Sequence, residues 1–304
     1  MMARFEGLWP VMLTAFRDDG SVDDSGVDAL VEFYIDGGSK GLFAVCQSSE
    51  MYRLSDDERL ALASRVVARA GGRVPVVATG TFGGPVDQQA GFVRRMAQTG
   101  VDAVVVLTNQ FCPREAGEPV LLAALEQLVE ATDPLPLGLY ECPEPHHRVT
   151  SPGFVAWAAA TGRFRYMKDT SRDPALFGPK AEAASADPGF AMFNAAAASA
   201  LPSLRLGAAG LSPVAANVYP DLFAWLCGNP GHEKAAWVQR RLTLLDSVAK
   251  LKYPQSAKRY LARRGLPVGP RTRVGEHPWD GYDELIHDAL YRTVCEVRAE
   301  LGLA

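Results

Sequence analysis

Eight short runs that are apolar on both faces, each followed by a longer stretch with helical signals, constrain this chain more than any other feature. The runs are Leu8–Leu13, Gly41–Val45, Val74–Ala78, Ala103–Leu107, Leu137–Tyr140, Phe164–Met167, Phe190–Phe193 and Gly207–Val214. A strand apolar on both faces is covered on both, which is the condition of a parallel sheet with crossover helices rather than of half-exposed hairpins. The intervening segments supply those helices. Ser55 followed by Asp56-Asp57-Glu58 reads as an N-cap with an acidic first turn, and Gly71-Gly72 closes that helix. Pro85–Gly100 and Glu118–Thr132 repeat the pattern. Eight such units predict an α/β chain folded as a (β/α)8 TIM barrel. A doubly wound sheet is the rival, but it calls for G-x-G-x-x-G after an early strand, and Gly80-Thr81-Phe82-Gly83-Gly84 lacks that spacing.

The strand pattern ends near Val214, and the rest of the chain reads as helix: Tyr219–Cys227, Glu233–Lys250, Ser256–Arg264 and Asp280–Leu301, with Gly and Pro at the joints. We therefore expect a catalytic barrel over residues 1–228 and a C-terminal helical extension over 229–304. The balance of charge, −4 over 304 residues, argues against a nucleic-acid or anionic-membrane partner. No apolar run approaches the ~18 residues of a membrane span, and the N-terminal stretch does not read as a signal peptide. The five cysteines are odd in number and scattered, so a reducing cytoplasm is the expected location.

Barrel chemistry sits at the C-terminal ends of the strands. After the sixth run, Arg165-Tyr166-Met167-Lys168-Asp169-Thr170-Ser171 places Lys168 where the strand enters its loop, sharing a face with Tyr166. A lysine aimed into a barrel mouth is desolvated and becomes an amine nucleophile; the alternative is a surface lysine paired with Asp169. The fifth run ends in Tyr140-Glu141-Cys142-Pro143, where Tyr140 can shuttle protons or simply fill the barrel. Gln47-Ser48-Ser49-Glu50 after the second run offers hydroxyls and N–H groups to a carboxylate, or merely starts a helix. Glu141 can bind a polar substrate end or join a salt bridge, and Asn194 can contact a hydroxyl or cap a helix. Cys142, His146 and His147 lie close together, but adjacent histidines in a Pro-rich loop rarely converge on one ion, so no metal is expected.

Several of these stretches, in order along nearly the whole chain, resemble the dihydrodipicolinate synthase/N-acetylneuraminate lyase family of class I aldolases. Gly41–Glu50 with Leu54–Arg59 resembles the family's G-T-T-G-E loop and helix start, Tyr140–Pro143 its Y-N-x-P, and Met167-Lys168-Asp169 its I-K-D/E. Gly210–Pro220 is similar to G-x-x-S-x-x-A-N-x-x-P, and Ala257-Lys258 with Gly265-Leu266-Pro267 to A-K…G-L-P. The resemblance implies Lys168 as the imine-forming nucleophile, with no cofactor beyond that imine, and Tyr140 as proton shuttle. Gln47 and Ser48 stand where paired threonines hold the carboxylate of a 2-oxo acid. Ser49, Phe111, Glu141, Asn194 and Ser212 complete the expected substrate contacts, and a homotetramer of paired dimers is the implied assembly.

The departures bear on substrate. Where the synthases have P-Y-Y this chain has Asn109-Gln110-Phe111, and Phe111 relays no proton; Gln110 replaces a tyrosine that crosses the dimer interface. Pro145 stands where an arginine binds the aldehyde's carboxylate, although Arg148 is near. Cys46 and Ser49 replace both loop glycines, and Glu141 replaces the Asn of Y-N-x-P. The expectation is a 2-oxo-acid aldolase or sugar-acid dehydratase acting on pyruvate or a related 2-oxo acid. The alternatives are an authentic 4-hydroxy-tetrahydrodipicolinate synthase and a non-catalytic 2-oxo-acid sensor.

Overall fold

A computed structural model describes residues 5–303 of the chain. Its eight strands are β1 Gly7–Leu8, β2 Leu42–Phe43, β3 Val76–Thr79, β4 Ala103–Leu107, β5 Leu137–Tyr140, β6 Phe164–Asp169, β7 Ala191–Asn194 and β8 Gly210–Leu211. They form one parallel sheet in the order β1-β8-β7-β6-β5-β4-β3-β2. The remaining gap, between the first and second strands, is spanned by a parallel bridge from Val11 to Phe43. There Met12 N–H donates to Phe43 O and Phe43 N–H to Pro10 O, both at 3.0 Å. The ladder is thereby a ring, and the predicted (β/α)8 barrel is the fold.

Between the strands lie α1 Asp24–Asp36, α2 Asp56–Ala70, α3 Val86–Ala97, α4 Glu118–Ala131, α5 Pro152–Ala160, α6 Pro174–Ala184 and α7 Ala200–Arg205, and α8 Pro220–Gly228 comes after β8. The helix signals act as read. Ser55 and Glu58 exchange hydrogen bonds with each other's backbone N–H groups, and Gly71 ends α2 at φ 57°, a left-handed conformation that only glycine adopts without strain. Three further helices, α9 Ala235–Ala249, α10 Gln255–Arg263 and α11 Gly281–Leu301, close the chain. No helix among the described residues is long and apolar enough to cross a membrane.

Three of the expected strands are much shorter than their apolar runs, β2 keeping only Leu42–Phe43 of Gly41–Val45. Pro10 interrupts Leu8–Leu13, and β1 ends at Leu8; Gly207 turns at φ 95° inside Gly207–Val214, and β8 ends two residues before Pro213. Proline has no N–H for the ladder, which makes it a natural stop. The sixth strand instead runs further than expected. Lys168 pairs with Tyr140 and Phe193, and Asp169 with Asn194, so Lys168 stands within β6 rather than in its loop.

Aromatic side chains fill the barrel beneath that lysine. Tyr166 stacks on Phe193 with centroids 4.8 Å apart and meets Trp9 at 5.3 Å and Phe43 at 5.8 Å. The ring closes where β8 crosses β1 at a pair of glycines. A Cβ on Gly210 would sit 1.8 Å from the carbonyl oxygen of Gly7, inside its van der Waals surface. Gly210→Ala must open the β1–β8 junction, and we expect a loss of at least about 3 kcal/mol in unfolding free energy, read from urea denaturation midpoints. A change below about 1 kcal/mol would show that the junction yields without cost.

Candidate active site

Lys168 reaches the barrel mouth only 3% exposed, its ammonium nitrogen 4.5 Å from the centroid of the Tyr140 ring. The salt bridge considered from sequence does not form. Asp169 points to the other side of β6 and its Oδ2 accepts from Lys180 Nζ at 2.8 Å, and no ion pair joins Lys168 to a carboxylate among the described residues. Burial without a counter-charge disfavours the ammonium form, and the amine is held down at about 8 from an ordinary 10.5. Tyr140, 2% exposed, has its hydroxyl 3.4 Å from Gln47 Oε1 and in hydrogen-bond contact with the thiol of Cys142. Burial pushes that phenol well above its usual range, so Tyr140 holds its proton and can lend it. The Cys142 thiol in turn lies 3.8 Å from the hydroxyl of Tyr52, which lines the same cavity.

Gln47–Ser49 form one 3-10 turn after β2, ending at Glu50 with φ 59°. The left-handed backbone there is held from the C-terminal segment. Glu50 Oε1 accepts from Lys258 Nζ at 2.7 Å, and Oε2 from the N–H groups of Arg273 and Val274 at 2.5 and 3.1 Å. Two stretches more than two hundred residues apart in sequence thus meet as a buried ion pair that sets the loop.

The cavity has a volume of about 880 Å³ and is lined by Gln47, Ser48, Tyr140 and Lys168 together. Five other residues expected at the substrate are turned away from it. Ser49 Oγ lies 2.5 Å from Ala44 O and 2.8 Å from Met12 O and accepts from Cys46 N–H, stapling its turn to the barrel. Ser212 Oγ accepts from Tyr166 and donates to Trp9 O within the barrel core. Asn194 caps the following segment through Ala196 and Ser203. Phe111 lies against the hydrophobic core outside the cavity wall. Glu141 faces the helix layer, because the residue after an inward Tyr140 must alternate outward.

That outward layer holds a buried charge cluster. Lys180 of α6, fully buried, donates to Glu141 Oε1 at 2.6 Å and to Asp169 Oδ2 at 2.8 Å. Glu141 also accepts from Thr150 N–H and Oγ1 and from Thr170 N–H. Burial lifts the Glu141 carboxyl above its ordinary range, and Lys180 opposes the lift. Since Glu141 follows Tyr140 and Asp169 follows Lys168, this cluster ties together the two strand ends that carry the inward pair.

Sequence reasoning missed Lys180 and several cavity residues, Tyr52, Arg53, Arg172, Lys250 and Tyr253 among them. Lys180 lies on the buried stripe Phe177, Lys180, Ala181, Ala184, where a charged residue at apolar spacing was the available signal. Tyr253, just before α10, also lines the cavity. Its hydroxyl accepts from Asn217 Nδ2 at 2.9 Å and is hydrogen-bonded to Ser48, while Asn217 Oδ1 accepts from Tyr34 at 2.5 Å. Its only signal was its place four residues before the Ala257-Lys258 pair. Of the loop that holds His146 and His147, His147 Nε2 lies 2.8 Å from Thr170 Oγ1, and no cluster of three metal-binding side chains occurs among the described residues. Arg148 spends its guanidinium on the carbonyls of Pro113, Arg114 and Ala116. Gln110 bends to the Tyr52 hydroxyl at 3.3 Å.

A parallel barrel with an uncompensated lysine and a tyrosine sharing one mouth cavity is the architecture of an α/β-barrel enzyme. The chain belongs to the Dihydrodipicolinate synthetase family, whose model matches residues 4–289. It is 31% identical over 290 residues, 94% of this chain and 97% of the relative, to a 4-hydroxy-tetrahydrodipicolinate synthase of Hyphomonas neptunium. Its fold matches a dihydrodipicolinate synthase of Bacillus anthracis with a TM-score of 0.85 at 22% identity, covering 96% of this chain and 99% of that one. It also matches the Escherichia coli K12 prophage protein YagE, solved in complex with pyruvate, with a TM-score of 0.82 at 24% identity, over 99% and 100% of the two chains. The chain is a lyase of this family.

Lys180→Met leaves Glu141 and Asp169 buried with no cation, and we expect it to cost roughly 3–5 kcal/mol of stability. Thermal and urea unfolding read this directly; a variant as stable as the parent would show that the cluster is not a tie between β5 and β6.

Proposed function

We propose that the protein is a class I lyase that forms a Schiff base between Lys168 and pyruvate or a related 2-oxo acid. The observation that carries this is the desolvated amine of Lys168, free of any carboxylate among the described residues and beside the Tyr140 hydroxyl in one cavity. The neutral amine attacks the ketone carbon. The carbinolamine oxygen leaves as water with a proton supplied by Tyr140, and the protonated imine remains. The imine is an electron sink: as the C4 hydroxyl returns a proton to the Tyr140 oxygen, the bond between C3 and C4 breaks, the aldehyde departs and the electrons enter an enamine; in the dehydration branch the Tyr140 oxygen takes the C3 proton and gives it to the C4 hydroxyl, which leaves as water. After C–C cleavage the enamine is protonated at C3 by Tyr140, after dehydration a conjugated imine is left, and hydrolysis of either imine returns the free lysine.

The carboxylate of the acid is assigned to Ser48 and Tyr253. Ser48, in the middle of the 3-10 turn, and Tyr253 both line the cavity and are hydrogen-bonded to each other; with Tyr253 also accepting from Asn217, one hydroxyl hydrogen of the pair remains to give. Such a clamp fixes the ketone carbon against the amine. The synthase reaction is kept as a second reading because of the Hyphomonas relative; Phe111 and Pro145 weigh against it, and a synthase assay separates the two.

With pyruvate and cyanoborohydride, a reduced adduct is expected on Lys168, and no adduct on that residue across a panel of 2-oxo acids would end the mechanism. The initial rate of adduct formation should rise from about pH 7 to 9 around a midpoint of about 8, because the lowered lysine is neutral above that value. Tyr140→Phe should slow adduct formation by ~10²–10⁴-fold while leaving Lys168 modifiable at long times.

A further inference from the structure

The cavity is larger than its chemistry at the lysine requires. About 880 Å³ lies at the upper end of the range for small-molecule sites, room for an acid well beyond three carbons. Its lining is also cationic away from Lys168, with Arg53, Arg172 and Lys250 on the wall. Two carboxylates share that wall. Glu50 is consumed by Lys258 and two backbone N–H groups, which leaves Glu144 as the other carboxylate of the wall. Lys250 pairs with Asp246, but no ion pair engages Arg53 or Arg172 among the described residues.

Arg172 stands out by its backbone. It has φ 61°, a left-handed conformation that non-glycine residues avoid unless the surroundings impose it. The imposing elements are visible: Asp169 Oδ1 accepts from Ser171 N–H at 3.1 Å and Oγ at 2.7 Å, and Asp169 is itself anchored on Lys180. The cluster that ties Lys168 to Tyr140 therefore also fixes the turn that places an unpaired guanidinium on the cavity wall, four residues beyond the amine. Where the resemblance places an arginine for an acceptor carboxylate, this chain has Pro145, and Arg148 is bound to backbone carbonyls instead.

We infer that Arg172, with Arg53, forms an oxyanion subsite for a second carboxylate or phosphate at the end of the substrate remote from its ketone. This rests on the Schiff-base reading above and narrows it to dianionic 2-oxo acids. Arginine suits the task, since its planar fork meets a carboxylate or phosphate with two parallel hydrogen bonds.

The test compares 2-oxo acids of equal length that differ only at the far end: 2-oxoglutarate with 2-oxopentanoate, and 2-oxoadipate with 2-oxohexanoate. A 2-oxo-3-deoxyhexonate with and without a 6-phosphate forms the third arm. Each is trapped on Lys168 with cyanoborohydride, and the half-saturating concentration is read by intact mass. The anionic member should saturate at a concentration ~10–100-fold lower than its neutral-ended partner, the size of a charge-assisted hydrogen bond. Whether carboxylate or phosphate gains more identifies which anion the subsite takes. Arg172→Gln should abolish the preference while leaving pyruvate trapping unchanged, Arg172→Lys should restore part of it, and Arg53→Gln should reduce it. Circular dichroism and melting confirm that these exposed-side-chain variants fold. Pyruvate trapping with no preference in any pair, or a preference untouched by Arg172→Gln and Arg53→Gln together, overturns the subsite alone. No trapping of pyruvate or any other acid overturns the imine mechanism and the subsite with it.

Discussion

Everything at the mouth of this barrel depends on a constraint at its wall: the strand ladder must close on itself, so that no inward side chain can escape into solvent. Closure is carried by little backbone. Two residues pair at the β1–β8 seam, where Gly210 lies against Gly7, and one bridge from Val11 to Phe43 spans the opposite seam. With the ring closed, alternation along β6 sends Tyr166 and Lys168 inward and Met167 and Asp169 outward. The aromatic floor of Trp9, Phe43, Tyr166 and Phe193 then excludes water from below the amine. Desolvation of Lys168 is thus a consequence of topology before it is a consequence of any neighbour.

The outward residues have the complementary role. Burying three charges in the helix layer is costly, and an apolar layer of the same shape is often as stable. What the Glu141–Lys180–Asp169 cluster adds is registration, because each carboxylate directly follows one of the two inward residues. Displacing Lys180 would let the ends of β5 and β6 move independently, and with them the distance between amine and phenol.

The barrel is legible in the sequence because its signal is additive: eight doubly apolar runs at the right spacing leave few alternatives, and capping at Ser55 and Gly71 marks boundaries locally. Lys168 and Tyr140 are legible for the same reason, since strand ends and alternation fix which way a side chain points. The residues that mislead do so where polarity alone is read as function. Ser49, Asn194 and Ser212 spend their polar atoms on backbone carbonyls, turns and neighbouring hydroxyls, a satisfaction that depends on partners distant in sequence. Glu141 is compatible in sequence with either substrate or salt bridge, and parity along β5 decides for the salt bridge. Tyr253 is invisible there because its place in the cavity is set by how the last helices fold back, which no local pattern encodes.

That fold-back has an evolutionary consequence. Tyr253 and Lys250 form part of the cavity wall, and Lys258 holds the turn bearing Gln47 and Ser48 through Glu50. The terminal helices are therefore not a detachable appendage to an independent catalytic barrel. Drift in them reshapes the pocket directly, and a lineage can change what it accepts without touching the strands that carry its amine and phenol. Selection on the two halves is coupled: a recombination that joins the barrel of one relative to the tail of another inherits a mismatched wall.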